Sequence, residues 1–135
     1  MWTTKTLPGA GWVSALLLSA YCLFELLLAL SAPLGKYAWG GQYTVLPSGL
    51  HVASGVAALV YACILVVPLS RSGIWPVIQN QKLLRACCVL LTVYFGIIGV
   101  IINLNSRSPN ERWDSIPALI FGLCFLVPSR QRSTV

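Results

Sequence analysis

Long apolar stretches alternate with short polar connections along this chain. Four membrane spans are predicted from this pattern, at about residues 10–31, 48–69, 84–104 and 109–128. An α-helix needs about 20 apolar residues to cross the roughly 30 Å of hydrocarbon in a bilayer, and backbone groups in lipid must be satisfied within the helix. The pattern therefore predicts an all-α integral membrane protein, a four-helix up-down bundle that forms a single membrane domain over residues 1–135.

Small and polar residues recur at helical spacing on two of the predicted spans. On the second span these positions are His51, Ser54, Ala58 and Ala62, with Gly55 beside them. On the third span they run from Arg85 through Cys88, Thr92, Gly96 and Gly99 to Asn103. Small residues let two helix backbones approach closely in a membrane. Both faces are therefore expected to pack against partner helices.

A polar segment, residues 103–117, connects the third span to the fourth and contains two of the chain's three acidic residues. Within it, Ser108-Pro109-Asn110-Glu111 has the form of a capping box with proline at the first helical position. The fourth helix is therefore predicted to begin at Pro109. Because Pro117 cannot donate a hydrogen bond to the carbonyl of Trp113, this helix is also predicted to be kinked at Pro117.

The composition supports a membrane location. Hydrophobic residues make up 57% of the chain and charged residues 9%, whereas a typical soluble domain has about 25% charged residues. The net charge of +6 comes from basic residues scattered over the connections, so no nucleic acid partner is predicted. All five cysteines lie within apolar runs, which indicates buried thiols rather than disulfides. No cofactor, metal site or catalytic group is predicted.

Lysine and arginine are unevenly divided between the two sides of a four-span topology. One side has six of them, namely Lys5, Arg71, Lys82, Arg85, Arg130 and Arg132. The other side has three, Lys36, Arg107 and Arg112. Because short cytoplasmic connections carry the excess of basic residues, both termini are predicted to be cytoplasmic. The predicted location is the cell membrane, specifically a bacterial inner membrane.

A cleaved signal peptide is an alternative interpretation of the first stretch. Ala29-Leu30-Ser31 resembles a cleavage site, although the apolar run is longer than the roughly 7–15 residues that such a signal uses.

Glu25 lies well inside the first predicted span, where an unpaired carboxylate is costly. The candidates for ligand binding or ion pairing at the outer end are Glu25, His51, Asn103, Asn105, Arg107 and Arg112. A bidentate ion pair between Glu25 and Arg112 would close this end. A proton-handling pair of Glu25 and His51 is the alternative. A purely structural hydrogen bond is the competing interpretation for Glu25.

Aromatic residues are concentrated in the two predicted outer connections. The interface candidates there are Tyr37, Trp39 and Trp113. Tyrosine and tryptophan favour the membrane–water interface because one end of each side chain is apolar and the other can hydrogen-bond. Anchoring at the interface is therefore their expected role.

Several short segments resemble those of small uncharacterised four-span proteins of the bacterial inner membrane. They are Tyr37-Ala-Trp-Gly-Gly41, Leu46-Pro47, the run from Asn105 to Arg112, and Pro117. The resemblance implies a location and a fold and carries no known activity. No site residue is therefore transferred from it.

These observations lead to one main functional hypothesis. It is a non-enzymatic, transport-related or accessory membrane protein that binds a small solute, a lipid or a partner protein at its extracytoplasmic end. One alternative is a structural subunit that packs into a larger membrane complex through the small-residue faces of the second and third spans. A homo-oligomer is also compatible with the sequence. Another is an intramembrane enzyme acting on lipid or quinone, with Glu25 and His51 as acid and base.

Overall fold

The computed structural model describes the backbone of residues 7–129 and the side chains of residues 9–126. Every regular element in this part of the chain is helical, which confirms the all-α prediction there. The α-helices are α1 (Leu7–Ala29), α2 (Ser48–Ile64), α3 (Val66–Arg71), α4 (Gln81–Val93), α5 (Val100–Leu104), α6 (Pro109–Trp113) and α7 (Ser115–Ser129). Lys5, Arg130 and Arg132, which the orientation prediction uses, lie outside the described residues.

Other helical types complete the chain path. A π-helix, Tyr94–Gly99, connects α4 to α5 without interruption. Two short 3-10 helices, Gly35–Tyr37 and Trp39–Gly41, lie in the connection between α1 and α2. We call residues 35–41 the aromatic loop.

Among the described residues, three helical segments have the length and composition needed to cross a membrane. They are Gly9–Ala29 with 21 residues, and Ser48–Arg71 and Gln81–Leu104 with 24 residues each. The second joins α2 to α3 through Leu65, which keeps helical backbone angles. The third joins α4, the π-helix and α5. These segments support the prediction of a membrane protein with transmembrane helices.

Local structure explains where the third of these segments begins and where the first one ends. The third segment begins before the predicted residue 84 because Asn80 caps it, its Oδ1 accepting from the amides of Lys82 at 3.0 Å and Leu83 at 3.2 Å. The first segment stops before residue 31, since Ser31 has a left-handed conformation with φ 67°. The sequence pattern therefore located both segments and missed their ends by a few residues.

The fourth predicted span is divided into two helices. It begins at Pro109, as predicted, but the chain leaves the helix at Asp114 and starts α7 at Ser115. The break precedes Pro117 because the missing N–H of that proline leaves the Trp113 carbonyl without its usual partner. α7 has 15 residues, about 22 Å at ~1.5 Å per residue, which is shorter than the hydrocarbon core.

The capping-box prediction is wrong. Ser108 stands at the N-cap of α6, but no side-chain cap hydrogen bond forms there. Its Oγ instead donates to the Lys36 carbonyl at 3.2 Å, and the Glu111 carboxylate accepts from the amide of Gly40. Tertiary contacts with the aromatic loop have therefore replaced the local cap.

The helices pack around α1 and α7. α1 lies against α2, α3 and α7, and α7 lies against α4, the π-helix and α5. The apolar core includes Leu18 of α1, Phe95 of the π-helix, and Phe121 and Phe125 of α7. The Phe95 and Phe121 rings meet edge to face with centroids 4.5 Å apart, a preferred aromatic geometry.

The small-residue faces pack inside the chain. A Cβ built on Gly122 of α7 would lie 2.3 Å from the Gly96 Cα atom, so the two backbones are in direct contact. On α2, Ser54 and Ala58 are buried, and the Ala58 carbonyl accepts a hydrogen bond from the Cys22 thiol of α1 at 3.2 Å. Both predicted faces therefore have helix partners within this protein.

Candidate functional site

A cavity of about 700 Å³ lies between α1 and the segment formed by the π-helix and α5. The break between α6 and α7 and the aromatic loop complete its wall. These elements meet at the end of the molecule that holds the connections after α1 and after α5. The cavity therefore occupies the end at which the sequence predicts the binding residues.

All three acidic residues of the chain line this cavity. They are Glu25 on α1, Glu111 on α6 and Asp114 at the break before α7. No lysine, arginine or histidine is among the described residues that form the wall. The polar chemistry of the wall is therefore acidic, with the Asn103 amide and several tyrosines added to it.

The Glu25 carboxylate is only partly satisfied. Its Oε2 atom is buried and has no hydrogen-bond partner. The Ser54 Oγ of α2 accepts from the Trp39 indole N–H at 2.9 Å, and Ser54 also lies next to the Glu25 carboxyl group. Ser54 is therefore a neighbour of both the aromatic loop and Glu25.

The Glu111 carboxylate, by contrast, has a hydrogen-bond partner for each of its two oxygens. Its Oε1 accepts from the Gly40 amide at 2.7 Å, and its Oε2 accepts from the Ser106 hydroxyl. The Lys36 carbonyl in the same loop accepts from Ser108. These bonds fasten the aromatic loop to the connection between α5 and α6, so Glu111 shapes the cavity as well as charging it.

The aromatic loop has an unusual backbone where it crosses the cavity. Trp39, Gly40 and Gly41 all have positive φ, at 53°, 83° and 69°. Glycine adopts this conformation freely, whereas a tryptophan does so at a cost of about 1–3 kcal/mol. A Cβ on Gly41 would also lie 2.6 Å from the Ser108 Oγ atom. The two glycines therefore permit the turn that places Trp39 in the cavity wall.

The structure brings together some of the predicted residues. Glu25 and Asn103 line the cavity, and so do the aromatic residues Tyr37 and Trp39. His51 is not part of the wall, and its buried Nε2 atom lacks a hydrogen-bond partner. Since the buried Glu25 Oε2 also lacks one, these two atoms do not form the proton-handling pair.

The other predicted residues lie at the surface. Asn105 is exposed and its amide donates to the Ile101 carbonyl at 2.8 Å, while Arg107 is also exposed. Arg112 is exposed and its Nε donates to the Ser106 carbonyl at 3.0 Å. Trp113 is 71% exposed, as an interface residue would be. Within the described part of the chain, no ion pair joins Glu25 to Arg112.

Several wall residues were not among the sequence candidates. They are Glu111, Asp114, Tyr21, Tyr61 and Tyr94. The acidic pair was detectable in principle, because Glu111 and Asp114 are three residues apart and therefore adjacent on a helix. Tyr94 could not be placed, since the π-helix that presents it has no signal in the hydrophobic pattern.

The polar side chains of the cavity wall are carboxylates, tyrosines and an amide. No group of three or more His, Cys, Asp or Glu side chains in this part of the chain could hold a metal ion. The five cysteines are free thiols, and none of them belongs to the cavity wall. An acidic, aromatic cavity with one incompletely bonded carboxylate is suited to holding a ligand.

Comparison with known proteins adds no assignment to this geometry. The chain matches no protein-family model, no curated protein and no solved structure.

Proposed function

We propose that this protein is a multi-pass protein of a bacterial inner membrane that binds a small solute in the acidic cavity. In this proposal the chain forms an up-down four-helix bundle, with α6 and α7 together completing the fourth crossing. The distribution of basic residues supports cytoplasmic termini. The cavity would then open on the extracytoplasmic side, as a transport-related or accessory binding protein requires.

The observation that carries the proposal is the gathering of all three acidic residues of the chain around one cavity. Ionisable residues within membrane helices are expensive and usually serve a function. Cavities of about 300–1,000 Å³ with mainly apolar walls and a few polar groups are typical of small-molecule sites. The acidic cavity has both properties.

A binding function is better supported than catalysis. An acid–base mechanism with Glu25 and His51 needs the two groups on one substrate, and His51 is outside the cavity wall. The described residues of the wall include no cysteine and no histidine, the side chains most often used as nucleophile and general base. The carboxylates and tyrosines that remain can orient and neutralise a ligand.

A structural subunit is the second candidate, and the packing gives it less support. The sequence assigned the contacts with other subunits to the small-residue faces of the second and third spans. Gly96 already contacts Gly122 of α7, and Ser54 and Ala58 are buried. Assembly with a membrane partner or a second copy would therefore need a different surface, such as the exposed apolar faces of the spans.

Filling the cavity tests the proposal. Ile98 lines the cavity and is 43% exposed. Ile98→Trp therefore places a bulky indole ring in the cavity and disturbs the packing of the core little. Ile101, on the same segment, is 55% exposed and outside the wall, which makes Ile101→Trp the matched control. Each full-length variant is purified from membranes and analysed by native mass spectrometry for small molecules that remain bound.

The proposal expects a bound small molecule on the original protein and on the Ile101→Trp variant. It expects that molecule to be lost from the Ile98→Trp variant. Equal retention by both variants would place the ligand elsewhere. A protein that binds no small molecule and instead co-purifies in fixed ratio with a membrane protein would favour the subunit.

A further inference from the structure

We propose that the ligand of the acidic cavity is an amphipathic organic cation, one positive charge carried on an apolar or aromatic body. This inference rests on the proposed binding function and specifies the chemical class of its ligand. It follows from the charge of the wall, the aromatic surface of the wall, the spacing of its carboxylates and its volume.

The charge of the wall selects a cation. Glu25, Glu111 and Asp114 contribute three carboxyl groups, and none of the described residues that form the wall is basic. The buried Glu25 Oε2 atom lacks a hydrogen-bond partner. A cationic group that entered the cavity would supply the missing partner and offset the repulsion among the carboxylates. An anionic ligand would meet like charge on several sides.

The neighbouring basic residues do not neutralise this wall. Lys36, Arg107 and Arg112 belong to the connections at the same end, and all three are exposed and outside the cavity. Lys36 contributes its backbone carbonyl to the attachment of the aromatic loop. The cavity is therefore acidic even though the chain as a whole has a net charge of +6.

The aromatic surface selects an organic cation. The wall contains four tyrosines, Tyr21, Tyr37, Tyr61 and Tyr94, together with Trp39, Phe24 and Phe95. Aromatic faces attract cations and also pack against the apolar body of a ligand. The Tyr21 and Tyr61 rings lie beside each other, with centroids 6.1 Å apart, on the α1–α2 side. Tyr94 approaches the cavity from the opposite segment.

The spacing of the carboxylates argues against a metal ion. Cations such as Ca²⁺ and Mg²⁺ need several oxygen ligands within about 2.0–2.6 Å of one point. The three carboxylates share a cavity, yet the described residues contain no group close enough to hold a metal ion. Carboxylates dispersed around about 700 Å³ of mostly apolar space suit an extended organic molecule.

A lipid headgroup fits the wall less well than a free organic cation. Bilayer phospholipids carry a phosphate beside any positive group, and that phosphate would lie close to the same carboxylates. The absence of basic side chains from the described wall leaves no partner for it. The cavity therefore favours a ligand whose only charge is positive.

Matched probes of opposite charge test the inference. Tetraphenylphosphonium and tetraphenylborate have nearly the same size and shape, and triphenylphosphine oxide is a neutral relative. Each is titrated separately into the full chain in detergent by calorimetry, with protein-free micelles as the blank. Glu25→Gln removes one carboxylate, and Gln42→Lys, at an exposed loop residue outside the wall, changes the net charge by the same amount.

Saturable binding of tetraphenylphosphonium, at least about tenfold tighter than that of the other probes, is expected. Glu25→Gln should weaken it about tenfold or more, while Gln42→Lys changes it less than about twofold. Equal binding of all three probes, or equal effects of the two variants, would overturn the charge preference and leave a binding cavity. If no probe binds and native mass spectrometry also finds no ligand, the binding function fails as well.

Discussion

Glu25 and Glu111 carry the same charge, but the protein accommodates them in different ways. Both oxygens of Glu111 accept hydrogen bonds, from the Gly40 amide and the Ser106 hydroxyl. The Glu25 Oε2 atom is buried without a partner, a condition that costs about 1–3 kcal/mol when a polar group is neutral and more when it is charged. Glu111 therefore stabilises the folded chain, whereas Glu25 is retained at a cost that a ligand can offset.

Removing the Glu111 carboxylate tests its structural role. In a Glu111→Ala variant the Gly40 amide loses its acceptor, and a hydrogen bond to a charged group contributes about 1.5–3 kcal/mol. We expect the free energy of unfolding to fall by roughly this amount, and exchange of the Gly40 amide with solvent to become faster. Asn110→Ala is the control, since Asn110 is exposed and makes only a long contact of 3.5 Å with the Lys36 carbonyl. Equal stability of the two variants would contradict the assignment.

The close contact between Gly96 and Gly122 can be tested by a single substitution. An added Cβ at Gly122 meets backbone atoms of Gly96 at 2.3 and 2.7 Å, so α7 has to move away from the π-helix. Gly122→Ala should therefore lower the stability by about 1–3 kcal/mol, measured by denaturant unfolding in detergent. Gly49→Ala in α2 meets nothing within 4 Å and should be neutral or slightly stabilising. A Gly122→Ala protein as stable as Gly49→Ala would show that the two helices are not in close contact.

Two irregular elements create the cavity between otherwise regular helices. The π-helix widens the third segment where Tyr94, Phe95 and Ile98 meet the cavity, and π-turns in helices are often found at functional sites. The break at Asp114 turns the fourth helix so that Glu111 reaches the aromatic loop while α7 packs on the core. Continuous helices in both places would present different side chains to this space.

Replacing Pro117 tests the cause of that break. Pro117→Ala restores the amide that can donate to the Trp113 carbonyl. It also removes a proline ring, which destabilises a helix interior by about 3 kcal/mol. We expect α6 and α7 to join, so that the amide of residue 117 is protected from hydrogen exchange and the Gly40 amide loses protection. Pro109→Ala is the control, because the first helical position needs no amide donor. Rapid exchange at residue 117 in the Pro117→Ala variant would show that another feature causes the break.

Some of these elements could be predicted from the sequence and others could not, for physical reasons. Long apolar runs have only one solution in lipid, so the helical segments were predictable to within a few residues. The cap prediction at Ser108 was wrong because the Ser108 and Glu111 side chains form tertiary hydrogen bonds with Lys36 and Gly40 instead of the local cap. Glu25 and Asn103 were identified because polar residues are rare in such segments. The π-helix was missed, since the hydrophobic pattern of residues 94–99 does not distinguish it from an α-helix.

In the whole molecule, the residues that pack the helices together and the residues that line the cavity lie largely in different regions. The Phe95–Phe121–Phe125 cluster and the glycine crossing hold α1, α7 and the third segment together. At the end with the aromatic loop, the acidic cavity separates α1 from the π-helix and α5. In the proposed orientation this end faces away from the cytoplasm. The basic connections would hold the opposite end at the cytoplasmic surface.

In the proposed topology, the acidic cavity opens to Glu25 from the extracytoplasmic side. Cysteine accessibility measures this opening, with a membrane-impermeant cationic methanethiosulfonate reagent applied to intact cells. Single cysteines at position 25, at the exposed loop residue Gln42 and at the exposed connector residue Gln79 are made in a chain that lacks the five native cysteines. Gln42→Cys marks the outer side and Gln79→Cys the inner side.

We expect Glu25→Cys to react from outside together with Gln42→Cys, and Gln79→Cys to react only after the membrane is permeabilised. Adding Ile98→Trp should slow the reaction at position 25 and leave that at position 42 unchanged, because only the former lies in the cavity. No reaction at position 25 while position 42 is fully labelled would contradict an outward-facing cavity around Glu25.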